Sequence, residues 1–378
     1  MRRVNKSIFF VTIGVCCRCM SVAAASEEDS LHAMIKGEIA QTKRTRIVAY
    51  PYAYYTPETE LAIGGGGIMT FYTGAEKILR PSKLLLSAYY SIRDQYKFTL
   101  AAQMYLARNS AFCGLNLNYG QYAEKFWGIG QDTPDIETED YISHTWGLGL
   151  DFQFVPLLEF IKADKSGVIY DYMANDIVDK KENPFLNNGE VHGSEGGISS
   201  GLGYILVKDS RDNIFFPNRG GFSRIRLIFY RQAIGSDYNF NYYEIDVRRY
   251  VAFKPDQVVA VQVIVNSVTG HPPFYELPML GGSQMMRGYY QGRYRDENVF
   301  AGQVEYRAFF WKRLGFVVFA GLGDAAEKFS YFRLREAKVS GGGGLRFKFN
   351  PAEKVNLRMD VGFGKETSGV YFGLEEAF

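Results

Sequence analysis

Cysteine is scarce in this 378-residue chain, and three of its four copies, Cys16, Cys17 and Cys19, fall within the first 25 residues. Removal of that segment leaves Cys113 alone, so the fold must close without an intrachain disulfide. Histidine is equally thin: His32, His144, His192 and His271 are scattered without the spacing of a metal site, and neither a metal nor another cofactor is expected. An excess of one charge is also missing. The 43 Lys and Arg nearly balance 41 Asp and Glu, a net of +2, which argues against nucleic acid as a partner. Beyond the first 25 residues there is no run of about 18 apolar residues, which excludes a transmembrane helix.

What is present points outward from the cell interior. Arg2, Arg3 and Lys6 precede the apolar IFFVTIGVCC of 8–17 and the small residues SVAAAS of 21–26, the layout of a secretory signal peptide cleaved near Ala25. Residues 26–45 then read as a short polar tail, too short for a domain of its own. The remaining 46–378 hold most of the 27 Tyr, 29 Phe and 40 Gly. An exported chain so rich in aromatic residues and glycine, and without a spanning helix, raises an outer-membrane β-barrel.

Alternation carries the fold assignment, because successive side chains of a strand point to opposite faces. In VNLRMDVGF, Val355, Leu357, Met359, Val361 and Phe363 share one face, and Asn356, Arg358, Asp360 and Gly362 the other. In YYEIDVRRY, Tyr243, Ile245 and Val247 oppose Glu244, Asp246 and Arg248. In HTWGLGLDFQF, Trp146, Leu148, Leu150, Phe152 and Phe154 oppose Thr145, Gly147, Gly149, Asp151 and Gln153, and LRFKF at 345–349 behaves alike. A soluble β-sandwich also alternates, but it turns its polar face to water and rarely exposes so many rings. Rings at both strand ends suit the interfacial girdles of a membrane barrel.

The segments number sixteen, near 46–55, 60–72, 83–93, 95–106, 111–122, 141–155, 166–174, 193–208, 222–232, 240–253, 257–269, 299–311, 314–324, 338–349, 355–365 and 369–378. Short links such as 93–95 and 350–354 alternate with long ones at 123–140, 175–192 and 271–298, the turn-and-loop asymmetry of a barrel. The last segment places Val370, Phe372, Leu374 and Phe378 on one face, and its closing Phe resembles the recognition signal of bacterial outer-membrane proteins.

Other motifs have plainer explanations. GISSG at 197–201 satisfies the G-x-S-x-G of a nucleophile elbow, but LGYILVKDS after it reads as strand where a helix is needed, so no catalytic residue is expected. GLGDAA at 321–326 lacks the βαβ unit of a dinucleotide site. The acidic DTPDIETED of 132–140 suits a solvated outer loop. The glycine runs at 64–67 and 341–344 lie inside strands, where they allow curvature or the close approach of another chain segment.

The long link contains GGSQMMRGYYQGRYRD at 281–296, with three arginines and three tyrosines in a glycine-rich loop. MRGY at 286–289, GRYRD at 292–296, VEYR at 304–307 and DSRDNIFFPNRGGF at 209–222 together resemble the C-terminal barrel of the BamA/TamA family of outer-membrane proteins, the bacterial surface antigens. The resemblance implies a sixteen-stranded barrel whose long loop folds back into the lumen. It also implies a latch of Arg287, Gly288 and Tyr289 against Glu305 on the twelfth segment and Phe319 and Gly323 on the thirteenth. A carboxylate suits a confined guanidinium on physical grounds as well. One position departs from the pattern: Gly321 stands where the family motif has Asp, and parity sets the nearby Asp324 on the opposite face.

The resemblance further implies insertion or translocation of proteins or lipids at the outer membrane, through a weakly closed seam between the first and last strands. The chain reads as a barrel-only member without POTRA domains, embedded in outer-membrane lipid and working with separate lipoprotein or periplasmic partners. A passive solute channel and a barrel anchor for a lipoprotein are the competing expectations.

Overall fold

The computed structural model describes residues 45–378 except 75–78, 137, 157–162, 214–215, 255, 351–354 and 375. The expected signal peptide at 1–25 and nearly all of the tail at 26–45 lie outside the described residues, as does the side chain of Leu374.

Sixteen antiparallel strands close into a barrel. The first half comprises β1 (Arg46–Thr56), β2 (Glu60–Phe71), β3 (Ser82–Ser91), β4 (Tyr96–Leu106), β5 (Ala111–Lys125), β6 (Asp140–Phe154), β7 (Lys165–Asp179) and β8 (Gly196–Asp209). The second half begins with β9 (Gly220–Tyr230), β10 (Phe240–Lys254) and β11 (Gln257–Gly270). Two short strands, β12 (Met279–Leu280) and β13 (Tyr294–Arg295), pair with each other inside the long link, and Arg295 also bridges to Gly130. The wall resumes with β14 (Asn298–Trp311), β15 (Leu314–Ala326), β16 (Lys338–Asn350), β17 (Val355–Gly364) and β18 (Thr367–Leu374). Each wall strand pairs with its neighbour along the chain, with β14 joining β11 across the long link and β18 returning to β1.

Burial is inverted relative to a water-soluble protein. On β6, Trp146 and Phe152 are 59% and 52% exposed, whereas Asp246 of β10 and Asp360 of β17 are fully buried. Apolar side chains therefore coat the outside, which suits a wall immersed in hydrocarbon, and the charged side chains turn into a lumen that also holds apolar clusters. Closure also pairs the backbone groups that an open edge would leave unsatisfied in lipid.

One junction is thin. β1 and β18 share a single registered pair, Tyr55 with Phe372, while β1 and β2 are in register from Arg46 to Thr56. The glycine runs sit in β2 and β16, where a Cβ on Gly64 would meet the Tyr52 ring at 2.9 Å and one on Gly342 the Phe319 ring at 2.6 Å. Lumen-facing rings on the neighbouring strands occupy the space that those glycines leave.

The last strand differs from its expected form. It ends at Leu374, and Phe378 is buried inside the lumen beside Tyr250, Val258 and Ala260. Phe372 and Val370 face outward as expected, but Phe378 does not continue their face, because the chain turns inward after β18. The turn between β8 and β9 is built by its own motif: Arg211 pairs with Asp209 at 2.8 Å and Asp212 accepts from the Asn218 amide at 2.8 Å.

Candidate functional site

The link between β11 and β14 spans the lumen. Its start, Phe274, Tyr275 and Leu277, packs into an apolar cluster with Tyr141, Ile169, Ile205, Ile228, Phe240 and Val268 from the β6 to β11 wall. Its tip supplies Leu280, Met286 and Tyr289 to a second cluster with Val299, Ala301 and Ala325 of β14 and β15. Burial of these rings and aliphatic chains accounts for so much bulk in a glycine-rich loop, since each large apolar side chain buried contributes roughly 1.5–3 kcal/mol.

Arg287 is fully buried at the centre. One guanidinium nitrogen donates to Glu305 of β14, and Nη1 donates to Asp360 Oδ2 of β17 at 2.6 Å. The Arg287 guanidinium carbon stands 3.6 Å from the centre of the Phe319 ring, which lies directly across from Glu305 in the β14–β15 ladder. Cation–π contact and two carboxylates thus hold one cation. Around it, Arg307 Nε donates to Glu305 Oε2 at 2.8 Å, Arg346 Nη1 donates to Asp360, and Arg346 Nε donates to Glu376 Oε2 at 2.7 Å.

Backbone approach also fixes the tip. Gly288 has φ +113°, and its amide donates to the Tyr371 hydroxyl of β18 at 2.9 Å. The Tyr289 hydroxyl donates to Val339 O at 3.1 Å and accepts from the Lys365 amide at 2.9 Å. On the far side of the thin junction, the Gln291 amide donates to Glu58 Oε1 at 2.9 Å, in the turn between β1 and β2.

Arg287, Gly288, Tyr289, Glu305 and Phe319 are thus brought together, and Gly323 lies apart. A Cβ on Gly323 would meet Leu280 at 2.8 Å, so it underlies β12 and not the guanidinium. The vacancy at Gly321 is filled by Met286, whose sulfur would stand 3.1 Å from a Cβ there. Asp324 does not replace the missing carboxylate, because it pairs with Lys338 at 3.0 Å. Asp360 is the second acid. Parity places it on the lumen face of its strand, but nothing in the sequence pairs it with a residue 73 positions away. The other tip arginines have different partners. Arg293 donates to Thr133 Oγ1 at 2.8 Å, and Arg295 lies over the Phe126 ring at 5.1 Å. Through Thr133 the acidic 132–140 loop meets the internal one, so it is not wholly solvated.

At the loop's start Glu276 faces Asp171. Burial first, and the Asp171 charge second, push its carboxyl from an ordinary 4.5 up to about 8, with Arg226 opposing. The folded state therefore binds this proton more tightly than the unfolded chain. Its contribution to stability is complete below about pH 4.5 and is lost as the pH rises through about 8. The urea midpoint of the refolded barrel should fall between pH 5 and pH 9, and Glu276→Gln should shrink that fall; an equal fall in both proteins would rule Glu276 out as its source.

A closed barrel with an apolar exterior, a charged interior and a pinned loop across its lumen defines an integral β-barrel of the bacterial outer membrane. The model of the Omp85 superfamily domain matches residues 80–378, and the chain belongs to that superfamily. Among solved structures, it is similar to BamA from Haemophilus ducreyi lacking POTRA domains 1-3, with a TM-score of 0.59 and 14% identity over 88% of this chain and 70% of that one. It is also similar to CdiB from Acinetobacter baumannii, with a TM-score of 0.55 and 12% identity over 88% of this chain and 60% of that one. No curated protein sequence matches. At such identities the likeness concerns the fold.

Proposed function

We propose that this barrel inserts or translocates proteins or lipids at the outer membrane, together with separate lipoprotein or periplasmic partners, after export by a signal peptide cleaved near Ala25. In this reading residues 26–45 are a short tail and 46–378 the membrane domain. The observation that carries the proposal is the single registered pair between β1 and β18. A strand edge with so few ladder bonds separates at small cost and offers unpaired N–H and C=O groups to an incoming strand. The Arg287 latch keeps the rest of the wall in shape while the edge is open. A lumen crossed by a buried loop favours this reading over a passive solute channel.

The test is a reversible bolt. Tyr55 and Phe372 are register partners, so Tyr55→Cys with Phe372→Cys, in a Cys113→Ser background, should form a disulfide across the junction. In liposomes containing the co-purified partners, the reduced protein should accelerate insertion of an unfolded barrel client, and the oxidised protein should not. Full activity when oxidised would dismiss the opening junction, and no activity in any state would dismiss the insertion function.

A further inference from the structure

The segment after β18 lies against the opposite wall. Residues 376–378 belong to no strand, so their hold rests on side chains and one main-chain oxygen. Glu376 accepts from Arg346 at 2.7 Å and from Asn356 at 2.9 Å. The Phe378 ring fills an apolar pocket of Tyr250, Val258 and Ala260, which forms a core cluster separate from the two beneath the long loop. Arg307 covers the ring at 5.2 Å and donates from Nη2 to Phe378 O at 2.9 Å.

Two features mark this pocket as a receptor for a peptide and not only as wall packing. Its apolar floor lies next to the turns that follow β10 and β14, and so within reach of that rim, apart from the two apolar clusters beneath the long loop. Moreover, Arg307 Nη1 is buried without a hydrogen-bond partner. An occupant with one more acceptor would satisfy a donor that the resident segment leaves idle, and an idle buried donor is costly.

We propose that the Tyr250–Val258–Ala260 pocket, with Arg307 and Arg346, is a binding site for a peptide segment carrying a carboxylate and, two residues on, an aromatic ring, and that Glu376–Phe378 occupies it in cis. Because the resident is tethered a few residues from β18, its effective concentration is on the order of millimolar, and a free peptide binds only weakly until the resident ring is removed.

The probe is a fluorescent peptide copying residues 373–378, titrated against the full-length barrel refolded in detergent. Phe378→Ala should tighten binding of the probe by at least about ten-fold over the wild type. Replacing the probe's own Phe with Ala should abolish binding. Val258→Trp, which fills the pocket from the wall, should block the probe in the Phe378→Ala protein. Equal binding to wild type and Phe378→Ala, or binding indifferent to Val258→Trp, overturns the site. If Phe378→Ala does not refold, maleimide labelling of Ala377→Cys in a Cys113→Ser background decides. Val258→Trp should expel the segment and raise the labelling rate at least about ten-fold, and an unchanged rate overturns the site.

Discussion

Replacing Arg287 with alanine lowers the stability of the refolded barrel by about 3–5 kcal/mol, the range found when one partner of a buried ion pair is removed. Urea unfolding followed by the fluorescence of the three tryptophans is the measurement. Arg287→Lys recovers only part of the loss, because an ammonium has neither the planar fork to meet Glu305 and Asp360 together nor the flat face to lie on Phe319. The carboxylates are not equivalent. Glu305 faces Arg287 and Arg307, whereas Asp360 faces Arg287 and Arg346, with Arg358 at 3.8 Å. After Glu305→Gln, Arg287 keeps Asp360 and Arg307 keeps Glu376 at 3.9 Å, whereas Asp360→Asn removes the carboxylate nearest Arg358 and should cost more. In the cycle of Arg287→Ala with Glu305→Ala, simple additivity would refute the pairing, since contacting partners couple by about 0.5–3 kcal/mol.

Gly288→Ala is expected to undock the loop without opening the wall. At φ +113° a Cβ is strained, and here it would also lie 2.5 Å from the carbonyl carbon of Phe363. Backbone strain and overpacking together amount to roughly 2–5 kcal/mol. Gly362→Ala separates the two causes. It carries no left-handed φ, yet its Cβ would stand 2.6 Å from the Arg287 carbonyl group. Trypsin should cut both variants after Arg287 or Arg293 while the barrel stays folded, and should spare the wild type. A resistant Gly288→Ala loop would show that the close approach to β17 is dispensable.

The strands were legible because a wall between lipid and a polar lumen imposes a strict two-residue period, and few side chains can break it without meeting the wrong medium. Ends were less legible. β7 runs on to Asp179 through Asn175 and Asp176, where polar residues sit at the rim and the apolar face fades. Phe378 has the right parity for the outer face, but the chain leaves the ladder after Leu374, and parity has no meaning outside a strand. At the site, local motifs marked Arg287 and Glu305. Asp360 escaped because its partner lies across the lumen, where neither register nor spacing reaches. The carboxylate and the methionine form one exchange: Met286 fills the space above Gly321, and the charge that this position lacks is supplied from β17.

The bond from Gln291 to Glu58 gives the thin junction a mechanical meaning. A hoop cut at one point springs open unless something ties its two ends. Here Gly288 grips Tyr371 on one end and Gln291 grips the turn beside β1 on the other. The loop therefore acts as a strut across the gap at that rim, and tension on the wall passes through its few bonds before it reaches the single pair of Tyr55 and Phe372. At the opposite rim no such strut stands among the described residues, and no residue of β1 other than Tyr55 is in register with β18.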